Sequence, residues 1–77
     1  MEGDLQRVVG RHVRRIRIDR GISQEALADA LGYHRTYLGG IERGERNLTL
    51  RSVERLAEGL AVDVRVLLEK SEKSEMS

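Results

Sequence analysis

Apolar residues recur at three- and four-residue steps along most of this chain, and glycines at 21, 32 and 44 interrupt the pattern. That confines the chain to a set of short helices. Leu5, Val8, Val9, Val13 and Ile16 mark one face of a first helix over about residues 4–19, closed by Gly21, where a left-handed backbone meets no Cβ clash. Ser23 is a good N-cap for a second helix, Gln24 to Leu31, and Glu25 places negative charge at its positive end. The inner face of that helix is expected to be Ala26, Leu27, Ala30 and Leu31. Beyond the stop at Gly32, only Tyr33 and His34 precede a third periodic stretch, Arg35 to Arg43, with Tyr37, Leu38 and Ile41 on its buried side. Two short helices joined by a tight glycine turn result.

Gly44 ends the third helix and residues 45–48 read as a loop. Thr49 caps a fourth helix through Leu60, whose stripe is Val53, Leu56, Ala57 and Leu60. Asp63 caps a last short helix from Val64 to about Glu69. The pattern predicts an all-α fold: a compact five-helix bundle containing a helix-turn-helix, formed as one domain by residues 1–70. Residues 71–77 alternate charge and serine without an apolar anchor and are expected to fray.

Several function classes lack their parts. With no Cys in the chain there is no thiolate metal site, and His12 and His34 cannot complete a zinc shell. No cofactor, metal or small-molecule ligand is expected. His12 is read at the edge of the core stripe, and His34 as a weak cap at the entry to the third helix. A nucleophilic Cys, a phosphate-binding Gly loop and a helix with paired His ligands are all missing, so the chain is not read as an enzyme. No apolar run approaches the roughly 18 residues a membrane span needs, and Met1-Glu2-Gly3-Asp4 lacks the order of a secretion signal. No membrane partner is expected, and the place of action is read as the cytoplasm, at the nucleoid.

Fourteen cations nearly cancel thirteen carboxylates, yet residues 1–20 and 33–55 each carry an excess of Arg. A basic face is therefore compatible with a net charge of only +1. Arg35 and Thr36 open the third helix facing outward. A helix entering the major groove by its N-terminus would bring both to base edges, with Arg35 forked onto guanine O6 and N7. Gln24, at the start of the second helix, would face a backbone phosphate together with free amides. The arginines at 7, 11, 14 and 15 are read as a solvated face and left outside the site. Tyr33 is read as an ordinary turn residue.

The stretch Gly21-Ile22-Ser23-Gln24-Glu25-Ala26-Leu27-Ala28, with Gly32, Arg35-Thr36-Tyr37 and Ile41-Glu42-Arg43-Gly44, resembles the lambda repressor and Cro type of helix-turn-helix protein over about residues 5–69. Arg35-Thr36-Tyr37, Gly40-Ile41-Glu42-Arg43 and Arg46-Asn47-Leu48-Thr49 are similar, within that family, to the controller proteins of bacterial restriction-modification systems. Those are dimers that regulate their own promoter and that of the restriction enzyme. The resemblance implies base contacts for Arg35, Thr36 and Arg46, and a place beside the DNA for Tyr37. It further implies phosphate contacts for Gln24, Asn47 and Ser52, and a buried ion pair between Arg17 and Glu42. Gly39 departs from the family, which often has Ser there. Gly40 is expected to let the helix backbone approach the groove closely.

Val62, Val64, Val66, Leu67 and Leu68 offer more apolar surface than one short helix can bury, which points to a homodimer interface. The expected partners are double-stranded DNA, a second copy of the chain and RNA polymerase. Two other readings stay open: a general phage, plasmid or antitoxin-like regulator, and a protein-interaction module that has lost its DNA contacts.

Overall fold

The computed structural model describes residues 3–70, which form five α-helices and no strand. α1 is Asp4–Asp19, α2 Gln24–Leu31, α3 Arg35–Glu42, α4 Leu50–Leu60 and α5 Val64–Leu68. The expectation for residues 71–77 lies outside the described residues.

Side-chain caps set most of these boundaries. Ser23 Oγ accepts from the Ala26 amide at 3.0 Å, Thr49 Oγ1 from Ser52 at 3.1 Å and Asp63 Oδ1 from Arg65 at 2.9 Å. His34 caps α3 through its ring, Nδ1 accepting from the Thr36 amide at 3.1 Å. α4 ends without a glycine: Ala61 takes the left-handed conformation at φ 57°. Its Cβ costs on the order of 1–2 kcal/mol there. Arg20, beyond the end of α1, donates to the Leu60 carbonyl and satisfies one of the open acceptors of that helix end.

α1 lies against α3, α4 and α5, while α2 packs on α3 and α4. Val9, Val13, Leu38, Ile41, Val53, Leu56 and Leu60 fill the space between them. Leu48, expected only as a loop residue, is fully buried in the same core. Its amide donates to Gln6 Oε1 at 3.1 Å, tying the loop after α3 to α1. Midway along α1, the His12 ring donates from Nε2 to the Glu69 carbonyl at 2.6 Å and accepts from Arg15 at Nδ1.

Two expectations about burial need correction. α2 buries Leu27, Ala28 and Leu31, whereas Ala26 and Ala30 are exposed. Alanines occupy several sides of this eight-residue helix, so periodicity does not choose among them, and packing against α3 and α4 selects Ala28. Leu67, expected at a dimer interface, is wholly enclosed in the protomer's own core. α5 turns it inward against the body of the domain, leaving Val62, Val64, Val66 and Leu68 partly exposed around it.

Gly10 was not singled out by periodicity, yet it decides how closely α1 and α3 approach. A Cβ there would collide with the Ile41 carbonyl oxygen and stand 2.8 Å from that of Glu42. Both obstacles are backbone atoms and cannot rotate aside. Gly10→Ala is expected to destabilise the fold by about 1–3 kcal/mol, seen as a melting temperature lower by several degrees in circular dichroism. A second expectation concerns pH. Hydrogen bonds from Arg65 hold the Asp63 carboxyl down from 3.8 to about 2. Because the folded value is the lower one, its contribution to α5 is complete above the unfolded value and is lost as pH falls through about 2. Carboxyl-detected NMR titration of Asp63 should show that midpoint, and Arg65→Ala should move it back toward 3.8.

Candidate nucleic-acid interface

Behind the helix-turn-helix lies a buried polar cluster. Arg17, on α1, donates to Glu42, on α3, through Nε to Oε2 at 2.7 Å and Nη2 to Oε1 at 3.1 Å. Its remaining Nη1 donates to the Ile22 carbonyl at 2.9 Å. The Gln24 amide, at the start of α2, donates to Glu42 Oε1 at 2.9 Å. Only 11% of the Arg17 side chain and 3% of that of Glu42 remain exposed. A two-pronged Arg–carboxylate pair has a fixed relative orientation, so α1, the turn before α2, α2 and α3 are held to one geometry. Gln24, expected at a phosphate, therefore has one N–H committed internally and a second to offer.

Arg35 and Thr36 stand exposed on the first turn of α3, and among the described residues no ion pair holds Arg35. A helix start presents an uncommitted guanidinium and a hydroxyl here, which are donors and acceptors suited to base edges. Tyr37, half-buried one residue on, meets the Tyr33 ring edge to face at 5.1 Å. The Arg46 guanidinium lies over Tyr37, 5.3 Å from its centroid, and that of Arg55 lies over Tyr33 at 5.2 Å. Burial pushes the Tyr33 hydroxyl above its usual value, with Arg55 opposing, so the phenol is neutral at physiological pH.

The two glycines of α3 are both buried, and the close approach to a groove expected at Gly40 is blocked by the Arg46 side chain. A Cβ on Gly40 would stand 2.7 Å from Arg46 Nε and 3.1 Å from its Cγ, so the notch it leaves is filled by the Arg46 stem. Gly39 lies beneath Arg43 and Gln24. It floors a cleft of about 260 Å³ lined also by Arg14, Arg17 and Glu42. Arg14, expected on a solvated face, thus borders the site, and so does Arg43, which pairs with Glu45 at 3.1 Å. Asn47 is exposed on the loop before α4, and the Ser52 hydroxyl lies 3.1 Å from Thr49 Oγ1 in the first turn of that helix. The features periodicity missed are Arg14, Arg43, Tyr33 and Arg55. Tyr33 lies in the turn between α2 and α3 and Arg55 on α4, so no helical spacing in the chain links them.

An eight-residue helix, a left-handed glycine at φ 76° and a second eight-residue helix with Arg35 and Thr36 outermost define a helix-turn-helix DNA-binding regulator. Comparison with known proteins agrees: the helix-turn-helix family model matches residues 13–67, and the chain belongs to that family. It is 43% identical to control protein C.SmaI of Serratia marcescens over 65 residues, 84% of this chain and 77% of that one. Control protein C.BamHI of Bacillus amyloliquefaciens is 39% identical over 70 residues, 90% of this chain and 86% of its own. Among solved structures, the restriction-modification controller protein C.Esp1396I, a tetramer in complex with its natural 35 base-pair operator, superposes with a TM-score of 0.73 at 36% identity. That match covers 88% of this chain and all of the other. These relatives are control proteins, and the chain is a regulator of that type rather than an enzyme.

Removing one member of the buried pair leaves the other desolvated and alone. Arg17→Met is expected to cost about 3–5 kcal/mol in chemical denaturation, and Arg17→Met combined with Glu42→Leu to recover a good part of that loss.

Proposed function

We propose that the protein is a homodimer that reads a palindromic operator and regulates transcription of its own gene, as the controller of a restriction-modification system. The observation that carries this reading is the exposure of Arg35 and Thr36 at the start of an α3 held rigid by the Arg17–Glu42 pair. Similarity to control proteins over most of the chain supports it, as does an operator-bound tetramer among the structural relatives. Residues 1–70 act as one DNA-binding and dimerising unit.

In this reading Arg35, Thr36 and Arg46 touch base edges, Tyr37 lies against the DNA, and Gln24, Asn47 and Ser52 anchor phosphates. The partly exposed Val62, Val64 and Val66 meet their counterparts in a second copy. A twofold dimer sets its two recognition helices about 34–36 Å apart, one turn of duplex. Control follows from where the dimer sits relative to RNA polymerase, which is the remaining partner of the reading. The place of action is the nucleoid, and no small-molecule effector has a part in it.

The test is selection of binding sites from a pool of random duplexes, followed by titration of the selected and random duplexes at fixed salt. A palindrome bound at least about 1,000-fold more tightly than random duplex is the expected result, with a dimer in sedimentation. Arg35→Ala should then cost about 1–3 kcal/mol and relax the preference at one base pair of each half-site. Gln24→Ala should weaken all duplexes alike, having lost an anchor and no readout. Equal weak binding to every duplex, or a monomer at micromolar concentration, would overturn the reading. A restriction enzyme gene beside this one separates a controller from a general phage or plasmid regulator.

A further inference from the structure

Arg46 is an exposed side chain on a loop, and a long flexible cation of that kind ordinarily gives up much of its rotamer freedom on binding. Here its stem fills the notch at Gly40 and its guanidinium lies over Tyr37. Tyr37 is in turn set by the edge-to-face contact with Tyr33, whose planes meet at 77°. Arg55, on α4, covers Tyr33 and is itself pinned, its Nη2 donating to the Leu31 carbonyl at 2.9 Å. That places a cation at the negative end of α2. Two cations, Arg46 and Arg55, thus stand at the ends of this series with the two rings between them, all with spacings inside the range where ring quadrupoles attract cations and ring edges.

We propose that Tyr33 and Arg55 are positioning residues for DNA recognition, holding Arg46 in its reading orientation through Tyr37. The proposal rests on the reading of Arg46 as a base-contacting residue. Neither Tyr33 nor Arg55 need touch DNA: Arg55 clamps Tyr33, Tyr33 holds the Tyr37 ring, and Tyr37 with Gly40 holds Arg46. The ordering cost of Arg46 is then met on folding rather than on binding.

The experiment titrates wild type and variants with a duplex selected from a random pool and with random duplex, at one salt concentration. Tyr33→Leu should lower the ratio of selected to random affinity by about 2- to 10-fold while leaving random-duplex binding unchanged. Tyr33→Phe, which keeps the ring, should restore the ratio. Arg55→Met, which keeps the stem without the charge, should lower it by about 2- to 5-fold, and this exposed position is independent of any folding defect caused by Tyr33→Leu. In the background of Arg46→Ala, neither Tyr33→Leu nor Arg55→Met should have a further effect on the ratio. Losses that multiply with that of Arg46→Ala, or that fall equally on both duplexes, would overturn the proposal while leaving the DNA-reading function intact. A wild type that does not discriminate the two duplexes would overturn both together.

Discussion

The bond between Arg17 and Glu42 is the constraint from which the working geometry follows. Both groups are almost fully withdrawn from water. Their charge is tolerated because the guanidinium divides its donors between the carboxylate and the Ile22 carbonyl, and the carboxylate takes a further bond from Gln24. A buried ion pair does not by itself stabilise a fold against an apolar replacement. What it contributes here is direction. Fork-to-fork bonding from α1 to the last turn of α3 admits little rotation of α3, and the azimuth of α3 determines that Arg35 and Thr36 point to solvent.

Around that pair the domain uses close backbone approach where bulk would not fit. Gly10 brings α1 onto the carbonyls at the end of α3, the same turn that carries Glu42. A side chain at that point would push the helices apart and lengthen the ion pair, so the glycine and the salt bridge are parts of one arrangement. Helix ends are closed in the same economical manner: Arg20 and Arg55 reach across to the last carbonyls of α4 and α2. Several arginines that look like a diffuse charge excess in the chain are thus committed to specific acceptors.

The recognition surface is organised less by α3 alone than by what lies on it. Gly40 would be a weakness in an isolated helix, costing roughly 1 kcal/mol against Ala. In the folded domain the missing side chain is replaced by the stem of Arg46, a residue from the following loop. Gly39 likewise makes room for Gln24 and Arg43, and the cleft above it is bordered by Arg14 and Arg43. That cleft is also lined by Arg17 and Glu42.

Most of the fold was legible from the chain because helix boundaries are local events. A cap, a glycine stop and a three- to four-residue apolar step each involve neighbours within one turn, and all five helices follow from them. The outward position of Thr36 was legible for the same reason, as it lies opposite Leu38 and Ile41 on the same short helix, while Arg35 is exposed as the first residue of α3. Tertiary structure decided what depends on residues distant in sequence. It chose Ala28 over Ala26 and Ala30, turned Leu67 into the core and gave Gly40 to Arg46. It also joined Arg46, Tyr37, Tyr33 and Arg55 through successive contacts. Local periodicity reports which side of a helix is apolar, but not which neighbour will occupy that side. That choice is settled only when separate helices compete for the same small volume.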